Sequence, residues 1–296
     1  MTPWEELLRQ PGVVLADGAM GTTLMELGLQ FGDSPELWNV EHPDRVRQVH
    51  RGYLDAGARI ILTNTFGGNR FRLSLHGLQD RAAELNAAGA RIARAESDAS
   101  GHRSVVAGDM GPTGGILAPL GDLEPEQAVE AFAEQAAALV GGGVDVIWIE
   151  TMSSLEELRA AFDGARQASP DVPIVTTMTF DTRGRTMMGV RPEDAVAELR
   201  GWGVAAIGGN CGNGPDEIIG VIEKMRATAP EVILVAKANA GIPRLQGGRA
   251  VYGAGPEEMA AYAAAAVKAG ARIIGACCGS TAQHVQAMAA ALALAA

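Results

Sequence analysis

The pattern of apolar and polar positions along the chain alternates regularly between two forms. Short, nearly continuous runs of Val, Ile, Leu and Ala alternate with longer segments in which apolar residues recur at helical spacing. The short runs are typical of parallel strands covered on both faces, and the longer segments predict amphipathic helices. The predicted strands are Val13–Asp17, Arg59–Thr65, Ser104–Asp109, Asp145–Glu150, Pro173–Thr179, Ala205–Cys211, Val232–Asn239 and Arg272–Cys277. The predicted helices are Pro43–Ala56, Gln79–Ser97, Pro125–Val140, Leu155–Ala168, Pro192–Trp202, Pro215–Thr228, Pro256–Ala269 and Ala282–Leu294.

Glycines mark the entry to several of these strands. A glycine ends the helical pattern and an apolar run follows in four similar segments, at residues 57–61, 143–147, 203–207 and 270–274. Because glycine readily takes the left-handed conformation that ends a helix, this repeat predicts successive helix-to-strand units. Eight strands alternating with eight helices in 296 residues predict an α/β fold, a (β/α)8 TIM barrel in one domain over residues 1–296. A doubly wound sheet is the weaker alternative, because no Gly-x-Gly-x-x-Gly follows the first strand.

Composition narrows the class of partner. The formal net charge of −11 argues against nucleic acid or an anionic membrane as the main partner. No segment approaches the roughly 20 uncharged apolar residues that span a bilayer. The N-terminus has early acids and lacks the basic start and apolar run of a signal peptide. We therefore expect a cytoplasmic protein whose cysteines stay reduced.

The candidate chemistry lies at the carboxyl ends of the predicted strands, which meet in one mouth of a barrel. The chain has three cysteines, Cys211 and the adjacent pair Cys277 and Cys278, at two such ends, and a glycine follows each set. A lone cysteine in a strand is more often a small buried apolar residue. Three cysteines at two strand ends favour a shared metal ion, and zinc prefers thiolates in a tetrahedral site.

The number of thiols bears on the kind of zinc site. A structural zinc normally has four protein ligands, whereas a catalytic zinc keeps one position open. None of the five histidines lies at a predicted strand end, so three thiols would leave that position for a substrate. A free thiol has a pKa of about 8.5, and coordination deprotonates it. The sequence thus predicts an enzyme that activates a substrate thiol for attack on an electrophilic carbon.

Two acids, Asp17 and Glu150, also end predicted strands. Either could instead cap a helix or pair with an arginine. Two carboxylates in one mouth, however, suit the ammonium group of an amino acid. The glycine at Gly18 would let backbone N–H groups approach a carboxylate. The asparagines Asn210 and Asn239 are weaker candidates, since each could simply hydrogen-bond the backbone of the rim.

Taken together, these motifs resemble the homocysteine S-methyltransferase family over nearly the whole chain. The residues of these motifs are most similar to those of the homocysteine-binding module of cobalamin-dependent methionine synthases. The split Cys…Cys-Cys pattern is highly specific, and the other motifs fall in the order of the family. They are Asp17-Gly18-Ala19-Met20-Gly21-Thr22, Thr63-Asn64-Thr65-Phe66, Gly111-Pro112-Thr113, Ile149-Glu150-Thr151, Asn210-Cys211, Asn239-Ala240-Gly241 and Gly275-Ala276-Cys277-Cys278-Gly279.

The resemblance implies a zinc-carrying barrel that binds L-homocysteine and makes L-methionine. It implies that Cys211, Cys277 and Cys278 are the zinc ligands and act in catalysis through the metal. It also implies that Asn239 can complete the zinc shell when substrate is absent.

The resemblance further implies a substrate site beside the zinc. Asp17 and Glu150 are expected near the amino group of homocysteine, and backbone around Gly18 is expected to help bind the amino acid. Asn210, which directly precedes a thiol ligand, is expected to contact the substrate as well.

The methyl donor and the oligomeric state stay open at this stage. A tyrosine follows the acid in the betaine-using branch of the family, and Thr151 stands at that position here, which argues against betaine. The preferred donor is a methylated corrinoid protein that acts in trans, so that cobalamin would be carried by a separate partner. The alternative is a small donor such as betaine, S-methylmethionine or another sulfonium compound.

Two interpretations of other kinds compete with this one. A metal-free barrel lyase or aldolase could use Glu150 with Lys237, the lysine that a predicted strand carries near the rim. A non-catalytic module that binds zinc or a thiol would need the same cysteines but no methyl donor.

Overall fold

The computed structural model describes residues 1–246 and 249–295. Its strands are β1 Val14–Leu15, β2 Ile60–Leu62, β3 Val105–Met110, β4 Val146–Met152, β5 Ile174–Met178, β6 Ala206–Cys211, β7 Leu234–Ala238, β8 Arg244–Gln246, β9 Arg249–Val251 and β10 Ile273–Ala276. Its helices are α1 Pro3–Arg9, α2 Gly21–Glu26, α3 Trp38–Glu41, α4 Pro43–Asp55, α5 Arg70–Ser74, α6 Ala82–Ala99, α7 Pro125–Gly141, α8 Leu155–Ala168, α9 Pro192–Leu199, α10 Pro215–Thr228, α11 Pro256–Ala269 and α12 Ala282–Ala295. Single 3-10 turns cover Pro35–Leu37, Gln79–Arg81 and Arg200–Trp202.

Eight of the strands form one parallel sheet in the order β1-β10-β7-β6-β5-β4-β3-β2. A parallel bridge between Ala16 and Ile60 joins the two ends of this sheet. The N–H of Asp17 donates to the carbonyl of Ile60 at 3.0 Å, and the N–H of Arg59 donates to the carbonyl of Leu15 at 2.8 Å. The sheet is therefore a closed barrel, and the predicted (β/α)8 fold is confirmed.

The barrel strands alternate their side chains between two apolar layers, as the two-residue period of a strand requires. One layer fills the barrel interior, and the other packs against the surrounding helices. Helix α1 closes the amino end of the barrel, where Trp4 and Leu7 pack against the interior layer. That layer consists of Val14, Ala16, Ile60, Leu62, Val105, Ala107, Val146, Trp148, Val175, Ala206, Val235 and Ile273.

The ends of the elements differ in detail from the sequence prediction. The strands are mostly one to three residues shorter than predicted, and the predicted helix at Pro192–Trp202 finishes as a 3-10 turn. The glycine repeat behaves as expected, because Gly203 and Gly270 end their helices with φ of 74° and 101°. Sequence patterning missed α1, α2, α3, α5 and the β8–β9 hairpin, which are too short for a helical or strand period to stand out.

Helix length and composition also bear on membrane insertion. Among residues 1–246 and 249–295, no helix is both long and apolar enough to cross a bilayer.

Candidate active site

The three cysteines meet at the carboxyl end of the barrel. Cys211 is the last residue of β6, and Cys277 and Cys278 directly follow β10. The Sγ of Cys211 lies 3.1 Å from that of Cys277 and 3.8 Å from that of Cys278. All three sulfur atoms lie within 4.8 Å of one another. Thiols that are separated by 66 and 67 residues along the chain are thus brought together by the fold.

This cluster fits a thiolate-binding metal ion. Sulfur atoms bound tetrahedrally at about 2.3 Å from zinc lie roughly 3.8 Å apart, which matches the separation of Cys211 and Cys278, whereas Cys211 and Cys277, at 3.1 Å, would have to move apart by about 0.7 Å. Hydrogen bonds with Cys277 and Cys278 raise the pKa of Cys211 well above its usual value. The three thiols therefore resist ionising together on their own, and a cation among them would remove that resistance.

The backbone beside the thiols is held in place on both sides. The N–H of Cys277 donates to the carbonyl of Ala238 at 2.8 Å, and the carbonyl of Cys278 accepts from the N–H of Ala240 at 2.9 Å. Cys211 itself has a φ of 61°, a left-handed conformation that is uncommon for residues other than glycine. Such strain is typical of functional sites where the surrounding structure fixes the backbone.

Asn239 directly follows β7, the strand that lies between β6 and β10 in the sheet. Its Nδ2 donates to the carbonyl of Gly212 at 2.7 Å. Its Oδ1 is buried and has no hydrogen-bond partner among the described residues. The expected role of Asn239 in the zinc shell stays a prediction.

Below the thiols, the barrel interior holds an ion pair. Lys237 on β7 is 3 % exposed, and its Nζ lies 3.1 Å from Oδ1 of Asp17 and 4.0 Å from Oε2 of Glu150. The Oδ2 of Asp17 accepts a second hydrogen bond, from the N–H of Leu62 at 2.7 Å. Burial alone would lower the pKa of Lys237, but the carboxylates of Asp17 and Glu150 outweigh it and raise that pKa. Lys237 is therefore a permanent ammonium group beneath the mouth.

Two acids in this region share the field of Lys237. Burial raises the pKa of Glu150 to about 8, although Lys237 acts in the opposite direction. Burial and the neighbouring Glu150 raise the pKa of Asp109 well above its usual range. These carboxyl groups would ionise more readily beside an additional cation than in the ligand-free site.

Asn210 contacts a neighbouring strand end. Its Oδ1 accepts from the N–H of Thr151 at 2.9 Å, and its Nδ2 donates to the Thr151 hydroxyl at 2.7 Å. Thr151 has a φ of 62°, so this pair of hydrogen bonds holds a left-handed residue next to Glu150. The geometry gives Asn210 a positioning contact, and its predicted contact with substrate remains untested.

Gly18 lies where another chain segment approaches closely. A Cβ atom at this position would come within 2.6 Å of Oγ of Ser280 and 2.9 Å of the Tyr53 ring. The same serine hydroxyl accepts a hydrogen bond from the N–H of Ala19 at 3.0 Å. Glycine is therefore required here by space, and its expected contact with the amino acid stays a prediction.

A cavity of about 540 Å³ connects these groups. This volume is within the range of small-molecule sites, roughly 300–1,000 Å³. Asn210 and Asn239 are not among its described lining residues, whereas six predicted site residues are: Asp17, Gly18, Glu150, Cys211, Cys277 and Cys278.

The cavity also contains residues that sequence reasoning did not assign to the substrate site. Asp109 and Lys237 line it together with Glu150. Asp109 was visible in the sequence as the last residue of a predicted strand, which is the signal that pointed to Asp17 and Glu150. The sequence indicates Lys237 only as a candidate for a lyase. Its ion pair with Asp17 could not be predicted, because the two residues are 220 positions apart in the chain.

Comparisons with known proteins agree with this geometry. The family model described as homocysteine S-methyltransferase matches residues 14–292. The methionine synthase of Mycobacterium leprae is 34% identical over 295 residues, which cover 95% of this chain and 24% of that protein. The methionine synthase of Mycobacterium tuberculosis is also 34% identical, with 95% of this chain and 25% of that protein covered. The chain thus spans about a quarter of the length of these relatives.

Two solved structures of a homocysteine methyltransferase match this chain over nearly the full length of both proteins. The metallated form of the homocysteine methyltransferase MmuM from Escherichia coli is 25% identical, with a TM-score of 0.82, 97% of this chain covered and 99% of that chain covered. The oxidized form of the same protein is 27% identical with a TM-score of 0.79, and 98% and 99% of the two chains are covered. The family model covers nearly the whole chain, and the chain therefore belongs to the homocysteine S-methyltransferase family.

Proposed function

We propose that this chain methylates L-homocysteine to L-methionine, with zinc held by Cys211, Cys277 and Cys278. The observation that carries this proposal is the cluster of three thiols within 4.8 Å. The same cavity contains the buried carboxyl groups of Asp17, Asp109 and Glu150, which we call the acidic wall. In the reaction, the methyl carbon leaves its donor and bonds to the homocysteine sulfur, and the thiol proton is lost. When bound, zinc would supply a positive charge that keeps a thiol deprotonated.

The chain's own residues would bind and orient the amino acid. Asp17 and Glu150 would lie near the ammonium group, as the sequence predicts. Gly18 and Asn210 belong to the same proposed site, Gly18 through its backbone and Asn210 through its hold on Thr151. In this proposal residues 1–296 act as one homocysteine-binding domain, and a reducing cytoplasm keeps the thiols free.

For the methyl donor, we favour a methylated corrinoid protein that acts in trans. Ten of the eleven large apolar side chains that are exposed among the described residues lie in segments that follow barrel strands, around the mouth. Large apolar side chains exposed around a functional site favour a surface that another macromolecule covers. The members of this rim are Met25, Phe31, Leu75, Ile116, Leu120, Met187, Met188, Ile242, Leu245 and Val251.

A small donor is the second candidate. The cavity volume of about 540 Å³ supports it, because a site of this size has room for an amino acid and a small betaine or sulfonium compound. In that case the apolar rim would have no part in transfer.

A donor screen tests the proposal. Zinc-loaded protein would be incubated with L-homocysteine and, separately, a methylated corrinoid protein, free methylcobalamin, S-methylmethionine, betaine or dimethylsulfoniopropionate, and methionine would be measured by mass spectrometry. We expect methionine from the corrinoid protein, and a Leu120→Ser variant, which removes a side chain that is 77% exposed and does not line the cavity as described, should lower that rate but not the rate with free methylcobalamin.

The outcomes separate the candidates. Methionine from a sulfonium or betaine donor alone would replace the corrinoid protein by the small donor. Activity that survives complete chelation would contradict the zinc site and favour the metal-free enzyme. Tight homocysteine binding without turnover against every donor would favour a non-catalytic thiol-binding module.

A further inference from the structure

The acidic wall of the cavity contains more carboxyl groups than the single ammonium group of Lys237 can neutralise. Asp17 follows β1, Asp109 lies near the end of β3, and Glu150 lies near the end of β4. All three line the cavity, together with Lys237. If all four groups are charged, the wall carries two uncompensated negative charges.

Lys237 is committed to Asp17. Its Nζ lies 3.1 Å from Oδ1 of Asp17, and the other oxygen of that carboxylate accepts from the N–H of Leu62. The ring of Trp148 lies 5.5 Å from Nζ and stacks beneath the ammonium group. Both oxygens of Asp17 thus have partners within the barrel, and Lys237 is held at this point of the wall.

Each of the other two acids has a buried oxygen that accepts no hydrogen bond from a described residue, although Oε2 of Glu150 lies 4.0 Å from Nζ of Lys237. Oδ1 of Asp109 and Oε2 of Glu150 are buried and have no hydrogen-bond partner among the described residues. The two side chains belong to residues that are 6% and 7% exposed. A buried polar atom without a partner destabilises the protein, so a cationic donor that reaches these oxygens would recover that loss on binding.

The backbone of Asp109 is fixed by its neighbours. Its N–H donates to Oγ1 of Thr63 at 2.9 Å, and its carbonyl accepts from Oγ1 of Thr65 at 2.7 Å. The side-chain amide of Gln135 also approaches this carbonyl, at 3.4 Å. This support fixes the backbone from which the carboxylate extends, which reduces the entropy lost on binding.

We propose that Asp109 is a substrate-binding residue that, together with Glu150, takes the ammonium group of the thiol substrate. Lys237 is then a positioning residue, which occupies Asp17 and leaves the other two carboxylates for the ligand. This inference rests on the proposed function, and it adds Asp109 to the residues that recognise the amino group of the substrate. A thiol of the same length without that group would leave both oxygens unpaired.

Binding of two matched ligands tests this assignment. Zinc-loaded protein would be titrated by calorimetry with L-homocysteine and with 4-mercaptobutanoate, which lacks only the amino group. Asp109→Asn keeps the shape of the side chain, and it should weaken L-homocysteine binding by roughly tenfold or more while 4-mercaptobutanoate changes by less than about twofold. Asp122→Asn, an exposed acid on the loop that follows β3, is the matched control and should leave both affinities unchanged.

Each other result overturns the proposal. If Asp109→Asn binds both ligands as the wild type does, Asp109 does not contact the amino group, and the proposed function still stands. If both affinities fall equally, or if the variant loses zinc or folds poorly, its role is structural. The wild type gives an independent check, because equal affinity for the two ligands would exclude recognition of the amino group. A wild type that binds neither thiol would contradict the proposed function itself.

Discussion

The two ends of the barrel bury different kinds of group. At the mouth, three thiols crowd together and two buried carboxylate oxygens lack partners among the described residues. At the amino end, helix α1 packs Trp4 and Leu7 against the apolar interior. The arginines around that end have carboxylate or carbonyl partners, as in the Arg94–Asp145 pair at 3.0 Å.

This difference separates groups that are arranged for ligands from groups that stabilise the fold. Unpartnered oxygens and like-charged neighbours reduce stability, and at the mouth they lie where a ligand can satisfy them. An apolar plug has no such use and contributes through burial alone. Strained backbone follows the same division, since Thr151 and Cys211 both adopt left-handed φ at the mouth. In barrel enzymes generally, the carboxyl face carries the chemistry and the amino face carries stability.

A substitution at the apolar amino end should have the largest effect on the stability of the protein. Trp4 is 4% exposed, so Trp4→Ala should lower the free energy of unfolding by roughly 3–5 kcal/mol through lost burial and the cavity that remains. Urea unfolding monitored by circular dichroism measures this loss. Zinc content and homocysteine affinity, measured below the unfolding transition, should stay as in the wild type. A parallel loss of zinc in folded protein would mean that the two ends are not independent.

A smaller effect tests whether unpartnered buried atoms outside the mouth are merely destabilising. His50 on α4 is fully buried, and neither ring nitrogen has a hydrogen-bond partner among the described residues. Burial lowers its pKa to about 4. The unfolded chain, with a histidine pKa of about 6.5, therefore takes up the proton first as pH falls, and native stability declines between pH 6.5 and 4 by about 3 kcal/mol.

His50→Leu should remove that decline. Urea unfolding at pH 7 and near pH 4 would show a smaller difference in the free energy of unfolding for the variant than for the wild type. His76→Leu is the matched control, because His76 is exposed and its loss should leave the difference unchanged. An acid-induced loss of stability that is the same in His50→Leu and in the wild type would show that His50 does not protonate only on unfolding.

Sequence patterning predicted the barrel and the thiol cluster for a shared reason. Continuous apolar runs preceded by glycine specify buried parallel strands, and the barrel topology alone then brings Cys211 to Cys277 and Cys278. The strand-end rule could also have pointed to Asp109. It could not predict which acids keep an unpartnered oxygen, because that depends on how closely Lys237 approaches Asp17, at 3.1 Å, and Glu150, at 4.0 Å. Helix α1 was missed because Trp4 and Leu7 make too short a pattern to predict a helix.

The cysteine cluster itself is tested most directly by the zinc content of the purified protein. Plasma mass spectrometry on protein prepared under reducing conditions should give about one zinc per chain for the wild type. Cys277→Ala should fall well below that value while its unfolding transition remains cooperative, and Trp4→Ala should keep its zinc. Zinc absent from the wild type, or retained in full by Cys277→Ala, would contradict a metal centre built from these three thiols.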